Sequence, residues 1–220
     1  MKRNSWIAIF FLVLAVHLVS IAIENSLIEN ITKPFLVVVL LFFYSSSGGQ
    51  SLLRKWIISA LVFSWIGDVL LMFQSKNENF FLFGLCAFLL AHIFYIVYFH
   101  RLRVMENIRS NAWFLLLVVV YYAALISFLS PYLGEMKLPV RIYGLVISFM
   151  FLLALHMRSL RNRAAGGLMI LGAAFFVISD SILAINKFYQ SFESAGILIM
   201  LTYGFAQLFL VLGALKQESA

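Results

Sequence analysis

Charged side chains are scarce in this sequence: Asp, Glu, Lys and Arg supply 11% of its 220 residues. A soluble domain carries roughly a quarter charged residues, most of them on its surface. Hydrophobic residues supply 64% of the chain, and the mean hydropathy is +1.01. A fold with a water-covered surface is therefore excluded, and lipid is expected to surround most of the molecule.

Cysteine and several familiar catalytic motifs are also rare or absent. The single Cys86 excludes an intramolecular disulfide framework, and its place inside an apolar run predicts a small core residue. The chain has no Walker loop, no Gly-x-Ser-x-Gly elbow and no His-Glu-x-x-His helix. No polar stretch is long enough for a soluble domain, so any function must lie within or between membrane helices.

The sequence contains, instead, a series of apolar runs of about 20 residues, the length that crosses a hydrocarbon core of ~30 Å as a helix. We predict spans at residues 5–23, 33–47, 55–73, 80–99, 112–129, 138–157, 165–186 and 195–215. The expected fold is all-α, a polytopic membrane bundle of about eight transmembrane helices in a single domain, residues 1–220. A basic N-terminus before the first run is also typical of a signal peptide, but no convincing small-residue cleavage site follows it.

Basic residues are distributed unequally between the two sides of the predicted bundle. One side holds eleven: Lys2, Arg3, Arg54, Lys55, Arg101, Arg103, Arg109, Arg158, Arg161, Arg163 and Lys216. The other holds five: Lys33, Lys76, Lys137, Arg141 and Lys187. The positive-inside rule then predicts that both termini are cytoplasmic. These cations explain the net charge of +7 as headgroup contacts at helix ends, so no nucleic-acid partner is expected.

Two stretches of the chain resemble each other. Residues 63–71, FSWIGDVLL, match residues 175–183, FFVISDSIL, in character at each position, with an offset of 112. Lys33-Pro34 and the nearby pair Pro139 and Arg141 open spans two and six at a similar offset. We interpret this as a 4+4 internal repeat, residues 1–110 and 111–220, with both halves running in the same direction. The alternative is a chance match between short apolar segments.

Two acidic residues lie well inside predicted spans, Asp68 in the third and Asp180 in the seventh. A charged group at the centre of a membrane helix costs about 2.5 to 3.5 kcal/mol to insert, and such groups face the bundle interior and mark functional sites. We therefore predict that the pair is catalytic and lies at similar depth in the outer half of the membrane. The alternative is a pair of acids that only hold the helices together.

Polar and aromatic residues recur at steps of three and four in the helices next to the two acids. Span four carries Gly84, Phe88, His92, Tyr95 and Phe99 on one face, and span eight carries Gly196, Met200, Tyr203, Gln207 and Leu210. The predicted orienting or substrate-binding residues are His92, Tyr95, Tyr203, Gln207 and Ser179.

Three cations near the outer helix ends, Lys33, Arg141 and Lys187, are candidates for binding an anionic headgroup, and the alternative is that they extend to the interface. A zinc site built from His92, Asp68 and Asp180 is a weaker alternative. We expect no metal and no cofactor.

The ordered motifs resemble those of the YhhN-like lysoplasmalogenase family over essentially the whole chain. They are Lys33-Pro34, Gly67-Asp68-Val69-Leu70-Leu71, Phe83-Gly84-Leu85, Ala87-Phe88, Ala91-His92 with Tyr95, Gly172-Ala173 with Phe176, Ser179-Asp180-Ser181, Asn186-Lys187-Phe188, and Thr202-Tyr203 with Gln207. The resemblance implies an eight-helix membrane enzyme that hydrolyses the vinyl ether bond of lysoplasmalogens, with the family's aspartates at Asp68 and Asp180. A lysophospholipid-type substrate and membrane lipids are the implied partners.

Vinyl ether hydrolysis needs one carboxylic acid to protonate carbon and one carboxylate to orient water, much as two carboxylates share roles in glycoside hydrolysis. Two aspartates in an apolar cavity supply both groups. The rival hypotheses are a small lipid or proton-coupled transporter that uses the same pair and a purely structural membrane protein. The absence of retention or transit signals favours a bacterial inner membrane.

Overall fold

A computed structural model describes residues 3–47, 49 and 51–219. Its eight long helices are α1 Arg3–Ala22, α2 Ser26–Ser47, α3 Arg54–Met72, α4 Asn79–Met105, α5 Ala112–Leu129, α6 Lys137–His156, α7 Arg163–Ala184 and α8 Ala195–Glu218. Short 3₁₀ turns flank α6, and α7 continues as a π-helical turn over Ile185–Tyr189. All eight are long and apolar enough to cross a membrane, which confirms the predicted all-α polytopic fold.

Successive helices run antiparallel, and contacts at the helix ends show which ends lie on the same side of the bundle. Glu218 at the end of α8 forms an ion pair with Arg54 at the start of α3, at 2.9 Å, and accepts from the Tyr44 hydroxyl at 2.5 Å. Asn162 before α7 donates to the main-chain oxygen of Lys216 at 2.8 Å. We call this the basic end of the bundle, because the more basic set of breaks lies here, and the other the opposite end.

The closest helix packing is between α7 and α8, and it depends on glycine. A Cβ added to Gly172 would lie 2.8 Å from the backbone nitrogen of Leu210 and 2.9 Å from the carbonyl oxygen of Ala206. A Cβ on Gly213 would meet Met169 at 2.8 Å. Small residues at membrane-helix interfaces allow this kind of close backbone approach, and here they hold α7, which carries Asp180, against α8, which carries Tyr203.

The second helix begins seven residues earlier than its predicted span. The prediction excluded the stretch before Lys33 because it is polar, but α2 starts at Ser26 and Pro34 lies inside it. Its polar groups are satisfied locally: Asn25 accepts from the Ile28 amide at 3.1 Å, and the Thr32 hydroxyl donates to the Ile28 carbonyl at 2.7 Å. Lys33 is therefore within the helix and does not open it.

Cys86 was predicted to be a small core residue, and this is wrong. Its side chain is exposed on α4 and lies with Leu82 and Leu89 in an apolar groove against α6. Lipid and protein interior are both apolar, so the sequence does not indicate whether a cysteine in a membrane helix faces lipid or the bundle interior.

Candidate active site

Asp68 and Asp180 line the same cavity, of about 190 Å³, between α2, α3, α4, α7 and α8. Each acid lies one helical turn before the last residue of its α-helical segment, Met72 in α3 and Ala184 in α7. Gln74 and Asn186, which follow those two segments, also line the cavity. The cavity therefore reaches from the two carboxyl groups to the opposite end of the bundle.

Asp68 is the more deeply buried acid, with 2% of its surface exposed. The Tyr203 hydroxyl donates to its Oδ2 at 2.7 Å. Behind that tyrosine, the amide nitrogen of Gln207 donates to the Tyr203 hydroxyl oxygen at 3.3 Å, and the Tyr95 hydroxyl donates to Gln207 Oε1 at 2.7 Å. A buried chain of side chains from α4 and α8 thus orients Tyr203, the donor to Asp68.

Asp180 has two hydrogen-bond partners in the part of the chain that the structure describes, one from α6 and one from α4. The Tyr143 hydroxyl donates to Oδ2, and His92 Nε2 lies 3.3 Å from the same oxygen and 3.0 Å from the tyrosine oxygen. The Asp180 side chain is 14% exposed, whereas His92 is fully buried. The three groups form a compact triad in which the carboxylate is held from the side of α4 and α6.

His92 Nδ1 is buried and has no hydrogen-bond partner among the residues that the structure describes. With Nε2 donating to Asp180, the unprotonated Nδ1 faces apolar surroundings that include the Phe176 ring, whose centroid lies 4.7 Å from that of the imidazole. A proton on Nδ1 would lack an acceptor among the described residues, so this geometry favours the tautomer with its proton on Nε2.

The structure brings together most of the residues predicted for the site. Tyr203 and His92 contact the acids, whereas Tyr95 and Gln207 lie one step behind Tyr203. Ser179 lines the cavity, but its hydroxyl donates to the carbonyl of Ile199 at 3.0 Å. Ser179 therefore joins α7 to α8.

The three predicted headgroup cations have different positions. Lys33 lines the cavity together with both acids. Arg141 is exposed and donates to the Ser130 hydroxyl at 3.2 Å, and Lys187 is exposed with its Nζ 5.0 Å from the centre of the Phe81 ring. Of the three, Lys33 is the one that the structure places among the groups that line the cavity.

Tyr143 is a site residue that sequence reasoning missed. It is one of several tyrosines in apolar spans, with Tyr121 and Tyr122 close by in the preceding helix, and spacing alone does not distinguish them. Glu29 was also missed, because the start of α2 had been read as a loop, and it lines the cavity one helical turn before Lys33. Asn186, which also lines the cavity, could have been predicted from the sequence, since it belongs to one of the family motifs.

Apolar side chains form most of the rest of the cavity wall. Leu71, Phe88, Leu183, Ile199 and Met200 surround the acids. Within the described ranges, no three His, Cys, Asp or Glu side chains are grouped closely enough to hold a metal ion. The described residues therefore do not assemble the zinc arrangement of His92, Asp68 and Asp180. The cavity combines three carboxyl groups, those of Glu29 and the two aspartates, and the Lys33 ammonium group with a largely apolar wall.

Comparison with known proteins gives a family match over most of the chain. The model of the YhhN family matches residues 28–214. Mouse lysoplasmalogenase TMEM86B is 34% identical over 163 residues, which cover 73% of this chain and 64% of that protein. Human lysoplasmalogenase TMEM86A is 33% identical over 169 residues, covering 74% of this chain and 66% of that protein.

A bacterial relative is similar to the same extent. The lysoplasmalogenase of Mycobacterium tuberculosis (strain CDC 1551 / Oshkosh) is 31% identical over 163 residues, 73% of this chain and 60% of that protein. The chain thus spans somewhat less than two thirds of the length of most curated relatives that it matches. No solved structure matches it.

Proposed function

Because this chain belongs to the YhhN family, we propose that it is a membrane-embedded hydrolase that cleaves the vinyl ether bond of lysoplasmalogen-type lipids. The products are a fatty aldehyde and a glycerophospho headgroup. Relatives from mouse and Mycobacterium carry the name lysoplasmalogenase. The observation that carries the proposal is that Asp68 and Asp180 line one cavity with largely apolar walls.

The reaction begins with proton transfer to carbon. A carboxylic acid protonates the vinyl carbon β to the ether oxygen, and the electron pair of the double bond forms the new C–H bond, leaving an oxocarbenium ion. Water then adds to the carbon that bears the oxygen, and a carboxylate takes one of its protons. The resulting hemiacetal collapses, with its C–O bond breaking as a proton passes to the departing glycerol oxygen, so that one water is consumed in all.

The hydrogen-bond donors around each aspartate support an assignment of the acid and the carboxylate roles. An ionised carboxylate in apolar surroundings needs donors to compensate its charge. Among the described residues, Asp180 has Tyr143 and His92 as partners, whereas Asp68 has Tyr203 alone. In our proposal Asp68 is therefore the proton donor, and Asp180 is the carboxylate that orients water and faces the developing positive charge.

The cavity lining orients the lipid. Lys33 is the ammonium group that meets the phosphate of the headgroup, and Leu71, Phe88 and Met200 meet the start of the alkenyl chain. Because the cavity reaches the opposite end of the bundle, a single-chain lipid can keep its phosphate near the interface while its vinyl ether lies beside the acids. Arg141 and Lys187, on the surface at the same end, remain candidates for guiding the headgroup.

Orientation in the membrane completes the proposal. We propose that both termini are cytoplasmic, and the excess of Lys and Arg at the basic end supports this orientation through the positive-inside rule. The cavity then opens in the outer half of the membrane, which we propose is a bacterial inner membrane.

The decisive experiment supplies a lysoplasmenyl lipid to the purified protein in detergent and measures aldehyde release. Asp68→Asn and Asp180→Asn are each expected to lower the rate about 10²- to 10⁴-fold, the range of a lost general acid or base. Glu193→Gln, which neutralises an exposed carboxylate, is the matched control and should leave the rate unchanged. In deuterated water the aldehyde should gain one deuterium on the carbon next to its carbonyl group.

The outcomes separate the activity from the site. If the wild-type protein releases no aldehyde from any of several vinyl ether lipids, the hydrolase proposal is wrong. If both aspartate variants retain full activity, the hydrolase stays and the site is wrong. Lipid or proton transport without aldehyde in reconstituted vesicles would favour the transporter hypothesis instead.

A further inference from the structure

A second concave site lies at the basic end of the bundle, far along the helices from the two aspartates. It is a groove of about 670 Å³ between the start of α3, the loop before it and the end of α4. Its wall includes Ser51, Leu52, Lys55, Trp56, Arg101 and Met105. We call it the α3–α4 groove.

Two helices of unequal length create this groove. The 27 residues of α4 extend about 40 Å at 1.5 Å per residue, which exceeds a hydrocarbon core of ~30 Å. The 19 residues of α3 do not. The last turns of α4 therefore extend into the headgroup region at the basic end, where the loop residues 51–53 pack beside them.

The groove carries positive charge that the protein does not neutralise. Lys55 and Arg101 are exposed and form no ion pair with any residue between 3 and 219 that the structure describes. None of the described residues that line the groove is acidic. Two carboxylates at this end of the bundle form ion pairs with other arginines, Glu218 with Arg54 and Glu106 with Arg161.

Apolar surface lies directly beside these cations. Leu52 is 90% exposed, and Val104 and Met105 are also largely exposed. Trp56 forms a fixed wall, because its ring is half-buried and stacks on Phe94 with centroids 6.0 Å apart. An isolated cation at a helix end is explained by extension of its side chain to the membrane interface. Lys55 and Arg101 differ, because they border a concave surface that also has an apolar part.

We propose that the α3–α4 groove binds one anionic phospholipid from the surrounding leaflet. The Lys55 ammonium and the Arg101 guanidinium hold its phosphate and anionic headgroup, as basic pockets between membrane helices do. Leu52, Val104 and Met105 contact its glycerol backbone and the upper part of its acyl chains. This lipid is not a substrate: the site is separate from the proposed active site, and its occupant needs no vinyl ether.

The test uses delipidated full-length protein in detergent, titrated with dioleoyl phosphatidylglycerol or dioleoyl phosphatidylcholine and examined by native mass spectrometry. One tightly retained phosphatidylglycerol is expected, with phosphatidylcholine bound more weakly. The Lys55→Gln/Arg101→Gln double variant should bind phosphatidylglycerol about tenfold more weakly or worse. The control is Arg109→Gln/Arg158→Gln, which removes the same charge from exposed residues at the same end, and it should bind as the wild type does.

A second measurement distinguishes weaker lipid binding from misfolding of the variant. Phosphatidylglycerol should raise the melting temperature of the wild type and of the control, and should raise it less in the groove variant, while all three give the same far-UV circular dichroism without lipid. Equal weakening in both double variants, or no weakening in the groove variant, would overturn the proposal. Full competition by soluble glycerol phosphate would also overturn it, because the occupant would then be a free phosphate ester. Neither lipid contains a vinyl ether, so these results do not depend on hydrolase activity.

Discussion

Tyr143 is the residue that connects α6 to the proposed active site. Its hydroxyl donates to the carboxylate of Asp180 and lies 3.0 Å from His92 Nε2. A hydrogen bond to a charged group contributes about 1.5 to 3 kcal/mol. The residue thus positions a proposed catalytic group, and the energy involved is large enough to measure in the rate.

Replacing Tyr143 by phenylalanine removes the hydroxyl and keeps the ring. We expect Tyr143→Phe to lower kcat for aldehyde release about 10- to 100-fold with a smaller change in KM, because the lost interaction holds the carboxylate and not the lipid. Tyr122→Phe is the matched control, since the Tyr122 hydroxyl is on the surface and donates to the main-chain oxygen of Arg141 at 3.2 Å. Equal losses in the two variants would contradict a positioning role for Tyr143.

The α7–α8 contact is the element on which the geometry of the site depends most directly. Ser179 on α7 donates to the Ile199 carbonyl of α8, and Gly172 lies where a side chain would meet the backbone of α8. A shift between these helices would move Asp180 relative to Tyr203. The helix interface therefore controls the position of Asp180 relative to Tyr203, the tyrosine that donates to Asp68.

A methyl group at Gly172 tests this contact. Gly172→Ala should lower the melting temperature and aldehyde release together, because the added Cβ would lie 2.8 Å from a backbone nitrogen that cannot move without the helix. Gly167→Ala in the same helix is the control, since a Cβ there meets nothing within 4 Å. Alanine favours a helix by about 1 kcal/mol over glycine, so the control should be as stable as the wild type or more stable.

A melting temperature and a rate of aldehyde release for Gly172→Ala that both match the control would contradict the close packing of α7 and α8. Loss of activity without loss of stability would still agree with it, since a small sliding of the helices is enough to separate the acids.

Helix pairing also bears on the predicted 4+4 duplication, which stays a prediction. The contacts between successive helices of the first half have counterparts four helices later: α1–α2 and α5–α6, α2–α3 and α6–α7, and α3–α4 and α7–α8. The α4–α6 contact likewise corresponds to α8–α2, but the α1–α8 contact is not matched by an α4–α5 contact of similar extent. Tyr95 and Gln207, 112 residues apart, bond to each other. A contact between positions separated by the repeat offset is the arrangement expected beside a two-fold axis, which supports two similar halves.

At the scale of the whole molecule, orientation decides which compartment supplies the substrate. The sequence places eleven Lys and Arg residues at the basic end and five at the opposite end. By the positive-inside rule we predict that the basic end is cytoplasmic and that the cavity with Asp68 and Asp180 opens away from the cytoplasm.

Cysteine labelling in intact bacterial cells measures this orientation. In a Cys86→Ser background, Gln190→Cys at the opposite end should react with a membrane-impermeant maleimide, whereas Ser159→Cys at the basic end should react only after permeabilisation. Both positions are exposed. The reverse pattern would place the cavity on the cytoplasmic side and would require a cytoplasmic lipid source.

The sequence alone determined the class of the molecule, because composition and run length report how much of a chain must lie in lipid and how often it crosses. It also predicted Asp68 and Asp180 as the acids of the site that we propose, since inserting a carboxyl group inside a long apolar run has a high energetic cost. Helix spacing correctly grouped His92 with Tyr95 and Tyr203 with Gln207, because residues three and four apart share one face.

Only the tertiary structure decided which polar groups face the acids. Lys33 and Arg141 look alike in sequence, yet Lys33 lines the cavity and Arg141 does not. Tyr143 and Cys86 could not be placed either, because the two sides of a membrane helix are both apolar and hydrophobic periodicity does not separate lipid from protein. The start of α2 was missed for a related reason: its polar first turns were read as a loop, and only the fold shows that Glu29 and Lys33 belong to the wall of the cavity.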